Sequence, residues 1–331
     1  MERHILYTDD IDTACLMDRT IAILGYGNQG RSHALNLRDS GFRVTVANHS
    51  DTPNGRKARE DGFEPMPIPA AVQQADVIML TLPDETMADI YAAEIAPWLK
   101  KGQGIMFCHG FNIHFKKIVP PADTDVFMVA PKGAGYKVRA AYEKGGGVAA
   151  LYAVYQDYTG SAGDLARAYA KGLGCGHSGI MESSFEEECV CDLFGEQTVL
   201  CGGMTALIEA GFNTLVAAGY RPEVAYFECC HEVKIIMDLI YQKGISAMNK
   251  GISNTAEYGG YTVGKKIIDD HVLCAMKEAL EDIRSGAFAD RFLADIKQKD
   301  NLLTETRKAN DEALIEKTGA FLREKMNLGK D

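Results

Sequence analysis

The sequence predicts an α/β domain with a mainly parallel sheet, followed by an all-helical domain. In the first half of the chain, short apolar runs alternate with amphipathic stretches, which is typical of strands joined by helical crossovers. After about residue 181 this strand pattern stops and apolar residues recur at helical spacing. We therefore place one domain at residues 1–181 and a helical domain at residues 182–327.

Short apolar runs predict six strands in the first domain, at residues 21–24, 43–47, 76–82, 104–108, 125–130 and 148–154. The second domain begins with a predicted capping box, because Glu187 follows Ser184 by three residues. Pro222 suits the first position of the next helix. The predicted helices of this domain lie at residues 184–218, 222–243, 264–284, 288–299 and 307–326.

The composition is that of a globular protein with a sizeable core. Of the 331 residues, 46% are hydrophobic and 24% are charged, with a formal net charge of −11. This charge disfavours nucleic acid and anionic membranes as partners. No apolar run approaches the roughly 20 residues of a membrane span, and the polar start has no targeting pattern, so we expect a cytoplasmic protein. The nine cysteines lack paired CxxC spacing and are expected to be reduced.

A glycine-rich turn follows the first predicted strand and fits the pattern GxGxxG. Gly25 allows the tight turn, Gly27 lets backbone N–H groups approach a pyrophosphate, and Gly30 permits close packing of the following helix. Because the turn lies between a strand and a helix, it indicates a Rossmann-type dinucleotide site. The residues predicted to line this site are Gly25, Tyr26, Gly27, Asn28, Gln29 and Gly30.

The loop after the second strand bears on which nicotinamide cofactor binds. Many NAD enzymes have Asp or Glu at the end of this strand to bind the ribose 2′-hydroxyl. Here no carboxylate stands there, although Asp51 follows in the loop. Ser50 and Thr52 are able to bind a 2′-phosphate, whereas Asp51 would repel one. NADH and NADPH both stay open, with a slight preference for NADH.

Polar residues follow three further strands at the edge of the sheet where ligands bind in such folds. Asp84, Glu85 and Thr86 follow the third strand, where they either contact a ligand or begin a helix with Asp84 as its N-cap. His109 and Lys132 follow the fourth and fifth strands, each directly before a glycine. Lys132 is suited to offset the charge of a cofactor or substrate, and His109 to transfer or organise a proton.

Two carboxylate pairs stand at i,i+4 spacing in the helical domain. Asp192 and Glu196 form one pair, and Glu228 and Glu232 form the other. Their neighbours are apolar, so we expect these carboxylates to be partly buried and to need cations, and no Lys or Arg lies between residues 183 and 220. Hard oxygen ligands suit Mg²⁺, and four carboxylates can hold two ions.

The run Glu186, Glu187 and Glu188 is interpreted differently, as helix-start charges that complement the macrodipole. A metal pair beside a nicotinamide favours a particular chemistry. Metal ions polarise two oxygens on adjacent carbons and stabilise an alkoxide. The sequence therefore predicts a carbon migration followed by a reduction.

Seven ordered motifs resemble the short form of ketol-acid reductoisomerase, and the resemblance covers nearly the whole chain. The motifs are GYGNQGRSHALNLRDSG (25–41), LPDET (82–86), HGFNIHF (109–115), APKG (130–133), DLFGEQTVLCGG (192–203), FECCHEVKIIMDL (227–239) and SNTAEYG (253–259). The resemblance implies a Mg²⁺-dependent alkyl shift in 2-acetolactate or 2-aceto-2-hydroxybutyrate. Reduction by NAD(P)H to a 2,3-dihydroxy acid would follow, as a step of valine and isoleucine biosynthesis.

The resemblance also implies a knotted helical domain, and a site assembled across a dimer or larger homo-oligomer. His109 and Lys132 match the polar pair of the family's active site, Ser253 matches its substrate-binding serine, and Gly135 lies in a loop assigned to the cofactor. Glu232 is also a candidate for proton handling. The implied ligands of two Mg²⁺ ions, with Asp192 bridging, are Asp192, Glu196, Glu228 and Glu232.

The sequence departs from the family pattern at two places. The family usually continues APKG with Pro-Gly-His, whereas Ala134, Gly135 and Tyr136 stand here. The loop after the second strand lacks the Arg that usually holds the 2′-phosphate.

Two other functions fit a Rossmann-type domain followed by helices. A β-hydroxyacid dehydrogenase would not need the four helical carboxylates. A non-catalytic nicotinamide-binding redox sensor would need neither those carboxylates nor His109 and Lys132.

Overall fold

The computed structural model describes residues 5–49 and 51–327. The chain divides into two compact units, Met1–Cys191 and Asp192–Asp331. The first unit is built on a sheet and the second is helical, which confirms the predicted fold class. Residue 181, where we placed the domain boundary, lies inside the last strand, and the division falls further on, inside a helix.

Over the described residues the sheet has eight strands. They are β1 (Ile5–Leu6), β2 (Thr20–Leu24), β3 (Arg43–Ala47), β4 (Val77–Leu80), β5 (Gly104–Phe107), β6 (Asp125–Pro131), β7 (Ala150–Gln156) and β8 (Ile180–Glu182). Their order in the sheet is β1-β8-β7-β6-β5-β4-β2-β3. The five strands from β3 to β6 run parallel, and β7 pairs antiparallel with β6. The chain turns to opposite sides of β2, so a ligand crevice is expected at the carboxyl end of β2.

Helices cover both faces of this sheet. They are α1 (Ala14–Met17), α2 (Asn28–Asp39), α3 (Pro53–Glu60), α4 (Ile68–Gln74), α5 (Asp84–Ile90), α6 (Phe111–His114), α7 (Gly135–Glu143) and α8 (Ala162–Gly172). Alternate residues of one strand enter different cores: Ile21 and Ile23 pack with α2 and α8, whereas Ala22 and Leu24 pack with α4. Strands buried on both faces explain why the sequence shows continuous apolar runs rather than alternation.

The second unit is helical throughout its described residues. After α9 (Phe185–Gly195), which crosses the boundary, come α10 (Gly203–Ala217), α11 (Pro222–Tyr226), α12 (Glu232–Lys243), α13 (Ile245–Gly251), α14 (Asn254–Ile267), α15 (Asp270–Arg284), α16 (Ala287–Asp295), α17 (Leu302–Glu312) and α18 (Leu314–Met326). Two π-helical turns lie in this unit. Glu196–Leu200 follows α9 on the way to α10, and Phe227–His231 joins α11 to α12. The knot implied by the resemblance stays a prediction.

The helical unit buries little apolar surface within one chain. Its core is a small cluster that includes Phe212, Tyr226 and Leu322. Large apolar side chains elsewhere on these helices are exposed, among them Tyr241 at 91% and Ile245 at 65%. Exposed apolar patches of this kind mark protein-contact surfaces.

One continuous helical stretch, Phe185–Ala217, is long and apolar enough to cross a membrane by length and composition, and an 18-residue part of it has a mean hydropathy of 1.4. The expectation that no apolar run approaches this length is therefore wrong for these residues. Asp192 and Glu196 lie on this stretch, and carboxylates are costly in a bilayer core. We interpret its apolar surface as a protein-contact surface.

The structure confirms the six predicted strands, with β3 at its predicted bounds, and adds β1 and β8. The capping prediction holds for Ser184, whose Oγ accepts from the N–H of Glu187 at 3.0 Å. Glu187 itself accepts from the hydroxyl of Ser183 at 2.8 Å. The predicted helix 264–284 is two helices, because Asp269 caps α15 through the N–H groups of His271 and Val272. The predicted helix 307–326 is likewise divided, at Ala313.

Candidate active site

The turn after β2 has room only for glycine at two positions. Gly25 has a φ of +97°, and its N–H donates to the carbonyl of Ala47 at 2.9 Å. A Cβ on Gly25 would lie 2.8 Å from the carbonyl oxygen of Thr81. A Cβ on Gly30 would lie 2.2 Å from the carbonyl oxygen of Gly25. The turn and the close helix packing expected from the motif are therefore present.

Gly27, unlike Gly25 and Gly30, is not packed against neighbouring atoms. It directly precedes α2, and a Cβ built on it would meet no atom within 4 Å. Open space in front of a helix N-terminus, where backbone N–H groups point outwards, is what a pyrophosphate requires. The geometry of this turn therefore fits a bound dinucleotide.

The side chain of Tyr26 does not belong to this open space. It is 2% exposed, and its hydroxyl donates to Asp61 Oδ2 at 3.0 Å. Asp61 is also held by Arg31, whose Nε lies 2.6 Å away. Only the backbone of Tyr26 is therefore placed to contact a cofactor. Of the two following residues, Asn28 is exposed and Gln29 is half-buried.

The loop after β3 is organised around Thr52, which caps α3. Its Oγ1 accepts from the N–H of Gly55 at 3.1 Å and from Asn48 Nδ2 at 2.9 Å. The same hydroxyl donates to the carbonyl of His49 at 2.7 Å. The proton of Thr52 is thus used within the loop, which weakens its predicted role at a 2′-phosphate. Ser50 lies outside the described residues.

The segment after β4 places Asp84 as the first residue of α5. The interpretation of Asp84 as an N-cap is wrong, because Pro83 occupies that position. Asp84 Oδ1 instead accepts from Asn112 Nδ2 at 3.2 Å, and burial raises the pKa of Asp84. Glu85 is half-buried, and the exposed Thr86 donates to the carbonyl of Pro83 at 3.3 Å.

The carboxyl ends of β5 and β6 bring His109 and Lys132 to one buried carboxylate, Glu188 of α9. Glu188 Oε1 lies 2.8 Å from Lys132 Nζ, and its Oε2 lies 3.1 Å from His109 Nδ1. The N–H of Gly110 donates to Oε2 at 2.9 Å. The side chain of Glu188 is only 1% exposed. Two cations thus share one buried anion at the edge of the sheet where ligands bind.

Charge pairing controls the ionisation of this cluster. Burial alone would raise the pKa of Glu188, but the hydrogen bond and charge of His109 and the charge of Lys132 hold it well below its ordinary value. Burial alone would lower the pKa of His109, but hydrogen bonds with Cys189 and Glu188 and the charge of Glu188 raise it. Glu188 is therefore ionised while it pairs with Lys132 and with a protonated His109.

The role of Glu188 differs from the one its sequence position predicts, that of a helix-start charge. The interpretation is wrong for Glu188, because its side chain pairs with His109 and Lys132, whereas Glu186 and Glu187 are exposed. A signal was present in the sequence: Glu188, Asp192 and Glu196 follow one another at i,i+4 spacing. Carboxylates repeated over successive turns of one apolar helix indicate a shared function rather than a macrodipole effect.

Gly135 is a packing position between two helices. A Cβ on Gly135 would lie 2.1 Å from the carbonyl oxygen of Asn28, so the start of α7 touches the start of α2. Ser32 of α2 donates to the carbonyl of Gly135 at 2.5 Å. Gly135 therefore lies beside the glycine turn, where it was expected, and the absence of a side chain is what brings it there. Tyr136, which follows it, is exposed.

The carboxylate pairs of the helical unit are less buried than their neighbours suggested. Asp192 is half-buried, whereas Glu196, Glu228 and Glu232 are exposed. The burial argument is therefore wrong for three of the four in a single chain. Among the described residues, no group of three metal-ligating side chains combines the two pairs.

Each carboxylate pair has one member in a π-helical turn. Glu196 begins one turn, and its carbonyl accepts from the N–H of Cys201 at 2.9 Å. Glu228 lies in the other turn. Single π-helical turns are frequent at functional sites.

Ser253 caps α14, because its Oγ accepts from the N–H of Ala256 at 3.2 Å. It is exposed, so a ligand at this helix N-terminus would meet the Ser253 hydroxyl together with backbone N–H groups.

Two family models match the chain in succession. Residues 15–179 match the model described as acetohydroxy acid isomeroreductase, NADPH-binding domain. Residues 185–328 match the model described as ketol-acid reductoisomerase, C-terminal domain. The chain belongs to the ketol-acid reductoisomerase family. It is therefore an NAD(P)H-dependent oxidoreductase and isomerase of branched-chain amino-acid biosynthesis, and the dehydrogenase and redox-sensor hypotheses are excluded.

A solved structure of a relative agrees over almost the full length. The chain is 46% identical to an NADH-preferring ketol-acid reductoisomerase from an uncultured archean, with a TM-score of 0.95, covering 97% of this chain and 99% of that one. The resemblance to the reductoisomerases is thereby confirmed.

More distant structures share the fold alone. A semialdehyde dehydrogenase NAD-binding protein from Cupriavidus necator is 22% identical, with a TM-score of 0.63 over 81% of this chain and 99% of that one. A putative oxidoreductase from Jannaschia sp. is 16% identical, with a TM-score of 0.61 over 80% of this chain and 95% of that one.

We predict that Glu188→Gln lowers the pKa of His109, because the imidazolium loses the carboxylate with which it pairs. NMR of ¹³C-labelled histidine, with His109→Asn to identify the signal, measures this. kcat should fall about 100-fold or more.

The contribution of the Glu188–His109 pair to the free energy of unfolding should be largest between pH 4.5 and pH 6.5, the ordinary pKa values of glutamate and histidine. It should decline above 6.5, where unfolded histidine loses its proton, and below 4.5, where unfolded glutamate gains one.

The matched control is Glu187→Gln, one residue away on the same helix, whose side chain is exposed. It should leave the His109 titration unchanged. An unchanged His109 titration in Glu188→Gln would contradict the assignment of Glu188 as the partner anion.

Proposed function

We propose that the protein converts 2-acetolactate or 2-aceto-2-hydroxybutyrate into the 2,3-dihydroxy acid. An alkyl group would migrate to the neighbouring carbonyl carbon, and hydride from NAD(P)H would then reduce the resulting 2-keto acid. The observation that carries this proposal is the buried Glu188 between His109 and Lys132 at the start of the helix that continues to Asp192 and Glu196. It joins a proton-handling cluster to candidate metal ligands.

The cofactor is proposed to bind with its pyrophosphate at the start of α2, in the open space at Gly27. We propose NADH over NADPH. The Thr52 hydroxyl is used within its own loop, Asp51 would repel a 2′-phosphate, and the family's usual Arg is missing. The relative described as NADH-preferring supports the same preference. Further proposed contacts come from the segment Asp84, Glu85 and Thr86, and from Gly135.

Two Mg²⁺ ions are proposed to bind Asp192, Glu196, Glu228 and Glu232, with Asp192 bridging. The donor set fits, because all four offer hard carboxylate oxygens and three are accessible. Bound there, divalent ions would polarise two adjacent substrate oxygens.

The proposed roles of the other side chains follow from their chemistry. Lys132 offsets the negative charge of the substrate or cofactor. His109 organises a proton, and Glu188 keeps both cations in place. Glu232 is also proposed to handle a proton, and Ser253 to bind the substrate at the start of α14.

We propose that the protein acts as a homodimer or a larger homo-oligomer, with each site completed by the partner subunit. Two features support this. The helical unit exposes large apolar side chains, including Tyr241 and Ile245, and the two carboxylate pairs do not form one ligand group within a chain. A partner's Glu228 and Glu232 would complete the set begun by Asp192 and Glu196. The proposed location is the cytoplasm, with neither nucleic acid nor membrane as a partner.

We predict that the protein oxidises NADH in the presence of 2-acetolactate and Mg²⁺, measured as loss of absorbance of the reduced nicotinamide. Asp192→Asn should lower kcat by about 10³-fold, or ~4 kcal/mol, because a bridging carboxylate is lost. Asp238→Asn is the control, since Asp238 is an exposed carboxylate of α12 paired with Lys234 at 2.6 Å. Full activity in EDTA would refute the metal proposal.

For the cofactor, kcat/KM should be higher with NADH than with NADPH, by about tenfold or more, because Asp51 repels the 2′-phosphate. Asp51→Ser should reduce this ratio, mainly by improving KM for NADPH. A strong preference of the wild type for NADPH would show that Asp51 does not act in this way.

For the shared site, Asp192→Asn and Glu228→Gln should each be inactive alone. After unfolding and refolding together, the mixture should regain about a quarter of wild-type activity. Half of randomly formed dimers are mixed, and each mixed dimer has one intact site. Two separately refolded samples combined afterwards are the control. No recovery, with mixed dimers demonstrated by mass spectrometry, would mean that each site is built from one chain.

A further inference from the structure

The segment between β6 and α7 carries Lys132 and is exposed over residues 132–134. It is anchored at both ends. The N–H of Lys132 donates to the carbonyl of Ala149 at 2.8 Å, and Gly135 is packed against the carbonyl of Asn28. Between these anchors the carbonyl of Gly133 accepts from Gln29 Nε2 at 3.0 Å. The Gln29 amide therefore holds the peptide group that joins Gly133 to Ala134, one residue after Lys132.

Gln29 lies in the first turn of α2, the helix whose N-terminus faces the open space at Gly27. The Gln29 bond joins residues 104 positions apart in sequence. It links the turn proposed to hold the cofactor with the segment proposed to act on the substrate.

The amide of Gln29 can face Gly133 in only one orientation. A carbonyl accepts but does not donate, so the NH₂ group must point towards it and Oε1 must point away. In that position Oε1 is buried and has no hydrogen-bond partner among the described residues. An unpaired buried acceptor costs free energy, whereas the carbonyl of the exposed Gly133 can bond water instead. The contact thus adds little to stability, and stability does not account for it.

We infer that Gln29 is a positioning residue, which couples cofactor binding to the placement of Lys132. An anion at the start of α2 fixes the first turn of that helix, and Gln29 carries this constraint to Gly133 and the adjacent Lys132. The inference rests on the proposed function for the role of Lys132. It adds that the cofactor-loaded enzyme holds this lysine more firmly than the cofactor-free enzyme.

Gln29→Met tests this, because methionine has a similar length and can neither donate to Gly133 nor leave an unpaired oxygen. We expect an unchanged or raised melting temperature and an NADH Kd within about threefold of wild type. kcat should fall about ten- to hundredfold, as expected when a reacting group is misplaced. In wild type, NADH should slow amide hydrogen exchange over residues 132–136. Gln29→Met should lose this protection at saturating NADH.

The matched control is Gln156→Met. Gln156 Nε2 also holds loop carbonyls, those of Pro121 and Thr124, at 2.8 and 2.5 Å. That loop carries no proposed site residue. This variant should lower the melting temperature, leave kcat unchanged, and retain the protection of residues 132–136 by NADH.

Three results would overturn the inference. Unchanged kcat and retained protection in Gln29→Met would show that the tether does not place Lys132. If the Kd for NADH rises by the same factor as kcat/KM falls, and saturating NADH still slows amide exchange over residues 132–136, Gln29 is a cofactor contact only. A lower melting temperature with a parallel loss of folded enzyme would make it structural. Wild-type enzyme inactive on acetolactate would instead refute the proposed function, and the exchange experiment, which needs only NADH, would still decide the coupling.

Discussion

The structure of the site depends on one buried charge. Glu188 lies almost fully out of solvent on α9 and is neutralised by His109 and Lys132. An unpaired carboxylate at this depth would destabilise the fold, so Glu188 needs its two partners. The three side chains come from the ends of β5 and β6 and from the helix that leads out of the sheet unit. The same interaction therefore orients the two cations and ties the first turn of α9 to the ends of β5 and β6.

Placing α9 by Glu188 has consequences further along the helix. Asp192 follows after one turn and Glu196 after another, so the register of these carboxylates is fixed by an ion pair within the sheet unit. A helix rotated by one residue would bury a neighbour of Glu188 instead. It would also turn Asp192 to another side of the helix, so the buried pair determines the register of α9. This is a use of buried ion pairs that does not depend on their net contribution to stability.

Local patterns in the sequence predicted most of the sheet unit. The strands and the glycine turn depend on side chains close in sequence, and β3 was predicted at its bounds. The two-residue β1 and three-residue β8 are held by pairing with each other and with β7, which no local pattern reveals. Glu188 was misjudged because a helix-start charge and a buried ion-pair partner look alike until the strand ends are placed in space. The exposure of Glu228 was misjudged because apolar neighbours on a helix indicate a contact surface, but not which chain supplies the contact.

The described residues contain three π-helical turns, none of them expected from the sequence. One, Tyr91–Ile95, follows α5 in the sheet unit, and the other two bear on the same carboxylates. An α-helix would keep one hydrogen-bond pattern from Phe185 onwards, yet the i→i+5 pattern begins at Glu196 and recurs around Glu228. Such turns are rare and are frequent at functional sites. Their occurrence at one member of each pair, on separate helices, argues that helix geometry has been adjusted to the carboxylates. The buried ion pair holds the first turn of α9 at the sheet edge, and the hydrogen-bond pattern of the helix changes from Glu196 onwards.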